Sequence, residues 1–135
     1  MSKPDDFDYT VSTGKDLEHW IADVTTTLKE EGFGVLGILD FRAVLKQRGV
    51  ELGRDYRLME VCNPRAANAA LQNDIRIGLL LPCMIGVYSE SGQTKISLLR
   101  PSVLPGLAPE SQVTKLAMEM EAKLKRAVDR ARSRT

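Results

Sequence analysis

Two cysteines, Cys62 and Cys83, are the residues of this chain whose type and setting could do chemistry. A thiolate is a nucleophile, a redox partner and a ligand for soft metals such as copper(I) and zinc. The chain holds 2 cysteines and 1 histidine, with no Cys-x-x-Cys pair. A four-ligand zinc site within one chain is therefore excluded on residue types unless carboxylates contribute. Two unreactive core cysteines are the alternative, because cysteine often only fills space.

The local setting of each cysteine indicates a binding site. Cys62 ends a predicted strand, and Asn63 follows it as the predicted start of a helix. Free N–H groups and the helix dipole favour negative charge there, and Arg65 adds a positive side chain, so we expect a lowered pKa for Cys62. Cys83 follows Pro82 inside a predicted buried strand, where a bulge or bend would turn backbone groups toward a ligand. We predict that these five residues surround one small pocket.

Hydrophobic patterning indicates the elements that must position this site. Alternation predicts a strand over 7–13, and apolar runs predict strands over 33–39, 56–62, 75–88 and 94–99. Helical spacing predicts long amphipathic helices over about 15–31 and 110–132, and helix signals predict short ones over 41–48 and 64–72. The simplest arrangement is an α+β fold, with one mostly antiparallel sheet of about five strands, the two long helices on one face, and short helices in the connections.

Capping residues mark the predicted element boundaries. Thr13 and Asp16 have the spacing of a capping box, and Asp40 is a natural N-cap for the short helix that follows it. Gly32 is expected to end the first long helix in a left-handed conformation. The prolines of 101–109 predict a surface loop.

The length and the charge of the chain limit its possible functions. The 135 residues predict a single domain, and the 19 basic and 18 acidic side chains exclude binding of nucleic acid through bulk charge. No apolar run is long enough to span a membrane, and the polar N-terminal residues predict a cytoplasmic chain. A two-layer fold leaves one sheet face uncovered, so we expect self-association through that face or the last helix.

Other candidate features have simpler structural interpretations. His19 is predicted to lie on the solvent side of the first helix, without a catalytic role. Gly32, Gly34 and Gly37 follow a helix and enter a strand, the reverse of the order that builds a phosphate loop. The last helix carries a net positive charge, but its charges alternate in sign, which is typical of a solvated helix face.

Several short segments together resemble a known family, the bacterial and archaeal domain of unknown function three-hundred-and-two. The two most specific segments are Val61-Cys62-Asn63-Pro64 and Gly78-Leu79-Leu80-Leu81-Pro82-Cys83. The others are Thr13-Gly14-Lys15, Gly32-Phe33-Gly34-Val35-Leu36, Asp40, Val87-Tyr88 and Pro101. The resemblance covers about residues 7–101 and leaves the C-terminal helix, 110–132, outside it.

The resemblance implies a compact α+β domain, usually a homodimer, with no established activity. Members also occur beside redox and sulfur-handling proteins, which implies thiol, metal or sulfur chemistry. Many relatives carry acidic residues near Gly37 and before the proline that matches Pro101. This chain has Arg100 before Pro101, so an acidic ligand is not expected at these places.

Three hypotheses follow from the sequence. The leading one is a homodimeric module without recognisable catalytic machinery that binds an unidentified small ligand, or a soft metal, beside Cys62 and Cys83. The second is a thiol-based redox or sulfur-transfer enzyme, with Cys62 as the reactive thiol and Cys83 as its resolving partner. The third is a purely structural dimerisation or interaction module.

Overall fold

Five antiparallel strands form one sheet in the order β1-β5-β4-β3-β2. A computed structural model describes residues 6–109 and 112–134. The strands are β1 (Asp8–Thr13), β2 (Gly34–Asp40), β3 (Tyr56–Cys62), β4 (Cys83–Glu90) and β5 (Gln93–Leu99). The helices are α1 (Leu17–Glu30), α2 (Phe41–Gln47), α3 (Pro64–Asn73) and α4 (Thr114–Ser133), with 3-10 helices at Ile75–Leu80 and Pro101–Leu107. The fold class is therefore α+β, as the sequence predicts.

The two long helices cover one face of the sheet. Alternate residues of the strands, such as Val61, Ile85 and Ile96, point to this face and are fully buried. Trp20 of α1 and Leu124 of α4 are also fully buried and pack into the same core. None of the helices that the structure describes is long and apolar enough to cross a bilayer.

Most predicted helix ends are confirmed. Asp40 Oδ1 accepts a hydrogen bond from the Ala43 N–H at 3.1 Å and caps α2. Asn63 Oδ1 accepts one from the Ala66 N–H at 3.0 Å and caps α3. Gly32 follows the end of α1 at a φ of 89°, a conformation that favours glycine.

The prediction for the start of α1 is wrong in its capping residue. Asp16 caps the helix, because its Oδ1 accepts from the His19 N–H at 2.8 Å. Thr13 is still part of β1, where it pairs with Thr94. The strand itself begins at Asp8, and Phe7 is 67% exposed rather than inward.

The predicted strand over 75–88 is wrong in its first half. Residues Ile75–Leu80 form a 3-10 helix, and β4 begins only at Cys83. Asp74 Oδ1 accepts from the Arg76 N–H at 3.0 Å, which starts a turn, and Pro82 has no N–H to extend the strand ladder upstream. The Leu81–Pro82 bond is cis, and the chain bends at Pro82, which is one of the two alternatives expected there. A register shift lies in β2, between Val35 and Gly37.

Two further predictions change near the C-terminus. The loop expected over 101–109 contains the second 3-10 helix, Pro101–Leu107. Glu110, where the last helix is predicted to begin, lies outside the described residues, and α4 is observed over Thr114–Ser133.

The carboxylate of Glu121 ties the second 3-10 helix to α4. It is 8% exposed, and it accepts hydrogen bonds from the Ser102 N–H at 3.1 Å and the Arg100 Nε–H at 3.2 Å. Lys125 Nζ lies 3.2 Å from the same carboxylate. Burial alone would raise the pKa of Glu121, but the hydrogen bonds from Ser102, Lys125 and Arg100 together lower it to about 2.

We predict that Glu121→Gln lowers the free energy of unfolding by about 2 kcal/mol at pH 7, because Arg100 and Lys125 lose the carboxylate with which they pair. A depressed pKa stabilises the fold above the unfolded value of about 4.3, and this contribution disappears as pH falls toward the folded pKa. Denaturant unfolding of the unmodified protein and of Glu121→Gln should therefore give a difference in the free energy of unfolding that becomes smaller below about pH 4.3. The matched control is Glu119→Gln, since Glu119 is exposed on the same helix. An equal loss in the control would contradict the role of this ion pair.

Candidate functional site

An apolar cavity of about 340 Å³ lies at one end of the sheet. Its walls come from the ends of β2, β3 and β4, from α3 and the N-terminal half of α4, and from both 3-10 helices. The lining residues are Phe33, Leu36, Val61, Cys62, Asn63, Ala66, Ala67, Ala70, Leu71, Gly78, Leu81, Pro82, Cys83, Pro101, Leu104, Pro105, Val113, Leu116, Ala117 and Met120. Leu36 is 67% exposed, so the cavity reaches the protein surface there.

Small side chains on α3 make room for the cavity. Ala66, Ala67 and Ala70 lie on the side of the helix that faces the space, because residues three and four apart share one helix face. Gly78 stands opposite them in the first 3-10 helix, where an added Cβ would lie 3.2 Å from Leu71 Cδ2. Larger residues on this face of α3 would fill the space, as in an ordinary core.

Both thiols lie in the wall of this cavity. Cys83 is the first residue of β4 and pairs with Val61, while Cys62 is the last residue of β3. Neither cysteine forms a disulfide. Burial raises the pKa of Cys83 to about 11, with a smaller contribution from the charge of a nearby Cys62 thiolate. The Cys83 side chain is therefore protonated at neutral pH.

The other predicted site residues have different placements. Asn63 and Pro82 line the cavity together with the thiols. Arg65 is exposed and is not among the lining residues. The Asn63 side chain caps α3 and takes up one N–H of the helix start, which the prediction for Cys62 treated as free.

Most of the cavity wall escapes sequence reasoning. The wall residues of α3, of the second 3-10 helix and of α4 are alanine, leucine, proline and methionine, which carry no chemical signal in a sequence. One signal was available in Ala66, Ala67 and Ala70, because small side chains on one face of a helix leave space beside it unless a neighbouring element fills that space. In α4, the apolar residues Leu116 and Ala117 precede Met120 and also line the cavity. Leu116 packs against a second cluster of buried residues, apart from the main core.

The described residues contain no group of three or more His, Cys, Asp or Glu side chains that could hold a metal ion. A soft metal at this place would have two sulfur ligands from one chain and would need further ligands from elsewhere. The raised pKa of Cys83 also disfavours the thiolate that such a metal requires.

Other residues weighed in the sequence have structural roles. His19 is half exposed, and its Nε2 lies 3.4 Å from the carboxylate of Asp23, which also binds Lys15 at 2.9 Å. Gly37 pairs with Glu60 in the β2–β3 ladder, and an added Cβ would lie 3.1 Å from the Glu60 carboxylate. Arg100 binds Glu121, as described above.

Comparisons with known proteins agree with this fold. No curated protein matches the chain. A crystal structure of an uncharacterised conserved DUF302 protein from Bacillus stearothermophilus is similar to it, with 33% sequence identity and a TM-score of 0.89. The similarity covers 93% of this chain and 98% of that one. The family described as Domain of unknown function DUF302 matches residues 9–131, and this match includes most of the C-terminal helix that the sequence resemblance left outside. The chain belongs to the DUF302 family.

Proposed function

We propose that this protein is a binding module for a small, uncharged and largely apolar molecule, which occupies the cavity beside Cys62 and Cys83. The observation that carries the proposal is the composition of the wall, in which Asn63 and the two cysteines are the only residues with polar side chains among those that the structure describes. Protein interiors are packed without voids of this size, and apolar pockets with a few polar groups are typical ligand sites.

The volume sets the size of the ligand. A dry apolar cavity of roughly 150 Å³ holds benzene, with its six carbon atoms. By the same proportion, a cavity of about 340 Å³ holds a molecule of about thirteen non-hydrogen atoms. This volume is near the lower end of the range for ligand pockets, which favours a small metabolite over a cofactor with a nucleotide.

The wall also selects against charge. Within residues 6–109 and 112–134, the lining has no ionisable side chain other than the two cysteines, so a carboxylate or ammonium group would enter without a partner from this part of the chain. Burial of an unpaired charge costs several kcal/mol or more. Hydrogen-bonding capacity is limited to the amide of Asn63 and the weak S–H donors, which suits a ligand with at most one or two polar atoms.

The surroundings of the two thiols favour a role in ligand contact over a role in thiol catalysis. With its pKa raised to about 11, Cys83 holds its proton at neutral pH and acts as a polarizable apolar group. The ladder pairs Cys83 with Val61, so Cys62 is one position out of register with it. Both cysteines line the cavity from the ends of their strands, and neither is in a disulfide.

We predict that Ala67→Phe abolishes binding of the neutral two-ring probe 1-naphthylamine, because the added ring occupies the cavity. Fluorescence titration of the full chain measures this effect. The matched control is Ala69→Phe, since Ala69 is exposed on the same helix and does not line the cavity. Saturable binding that survives in the control and fails in Ala67→Phe supports the proposal. Equal probe binding by both variants would refute it.

We predict slow alkylation of Cys83 at neutral pH, since its raised pKa leaves few thiolates. In a Cys62→Ala variant, the rate with iodoacetamide should rise about tenfold per pH unit up to a pH of about 11. The unfolded protein in guanidinium is the control, in which the rate should level off near a pKa of about 8.5. A folded-state profile that levels off near neutrality would contradict a buried Cys83 that holds its proton.

We further propose that β2 pairs with β2 of a second copy to form the expected homodimer. This strand lies at an edge of the sheet, residues 34–39 carry no charge, and Leu36 and Ile38 are 67% and 46% exposed. An apolar edge strand is a ready template for pairing with another chain. Antiparallel pairing of two copies centred on Gly37 would place Leu36 opposite Ile38 without opposing like charges.

We predict that the parent protein has twice its chain mass of 15.0 kDa by light scattering and that Ile38→Lys dissociates it. Val50→Lys is the control, because Val50 is a 53% exposed residue that lies outside β2. A monomeric parent protein, or an Ile38→Lys variant that stays dimeric, would rule out this interface.

A further inference from the structure

Sulfur is concentrated in the wall of the cavity. Cys62 at the end of β3, Cys83 at the start of β4 and Met120 in α4 come from three separate elements and line the same space. Met120 is only 9% exposed, and burial keeps Cys83 protonated, so both present neutral sulfur to an occupant. Neutral sulfur makes favourable contacts with aromatic rings, in addition to the gain from apolar burial.

Rigid groups complete the wall. Three prolines line the cavity: Pro82 just before β4, and Pro101 and Pro105 in the second 3-10 helix. Phe33 adds an aromatic ring. Proline has no side-chain rotamer freedom to lose when a ligand packs on it. A rigid ligand likewise loses no internal rotation on binding, whereas each bond frozen in a flexible chain weakens binding. The wall is therefore better matched to a planar ring system than to an alkyl chain.

From these observations we infer that the ligand is aromatic, an uncharged one- or two-ring molecule with at most one or two polar atoms. This inference rests on the proposed function and adds the chemical class of the ligand. The aromatic ring packs against the sulfur atoms of Cys83 and Met120, and the amide of Asn63 is the hydrogen-bonding group available to a hydroxyl or carbonyl substituent. A two-ring skeleton with one hydroxyl is within the size that the cavity volume allows.

The test uses two probes with one skeleton, 2-naphthol and its saturated counterpart decahydro-2-naphthol. Their ring atoms are equal in number and both are rigid, so they differ chiefly in aromaticity. Isothermal titration calorimetry with the full chain should give a dissociation constant for 2-naphthol about tenfold lower, although the saturated probe is the more apolar of the two. Equal affinity, or tighter binding of the saturated probe, would overturn the inference and leave the proposed apolar site in place.

Two methionine variants test whether sulfur causes the preference for the aromatic probe. Met120→Leu conserves side-chain volume, and it should weaken 2-naphthol binding about threefold without changing the affinity for the saturated probe. Met118→Leu is the matched control, because Met118 is 60% exposed on the same helix and does not line the cavity. An unchanged probe preference in Met120→Leu would show that its sulfur has no part in it. If neither probe binds, the proposed function and the inference fail together.

Discussion

The packing of α4 against the rest of the molecule is the interaction on which both the fold and the cavity depend. One face of its C-terminal half is fully buried in the core with α1 and the sheet, through Leu124, Ala127, Val128 and Ala131. Its N-terminal half extends beyond α1 and forms a wall of the cavity with Leu116 and Met120. Glu121 lies at the junction and holds the second 3-10 helix against α4. A shift of α4 would therefore alter the core and the cavity together.

Several residues of the cavity wall are too small or too rigid to close it. The alanines of α3 and Gly78 have no atoms with which to fill the space, and the prolines of the second 3-10 helix have no alternative rotamers. Core side chains elsewhere on this face of the sheet are fully buried, as Met59, Ile85 and Leu98 illustrate. The contrast between these two regions, within one small chain, is the physical argument for a binding role.

Burial decides which chemistry the cysteines can perform. A cysteine beside a helix N-terminus and a cation favours the thiolate, and this is the setting that the sequence around Cys62 suggests. The structure instead places the thiols in an apolar wall, with Arg65 outside it and with one N–H of the helix taken up by Asn63. For Cys83, the low polarity of the surroundings outweighs any nearby dipole and raises its pKa. A site that looks electropositive along the sequence is therefore apolar in space.

The sequence by itself determined the α+β class, the long amphipathic helices and the caps at Asp40 and Asn63, because these depend on periodicity and on hydrogen bonds between near neighbours. It also pointed to Asn63, Pro82 and both cysteines, all of which line the cavity. It mistook residues 75–80 for a strand, because an apolar run of this length fits a strand and a turn equally well until its partners are known. Only the tertiary structure decided that the alanines of α3, the second 3-10 helix and Met120 meet around one space, since these contacts join residues far apart in the chain and of types that carry no signal until they are packed together.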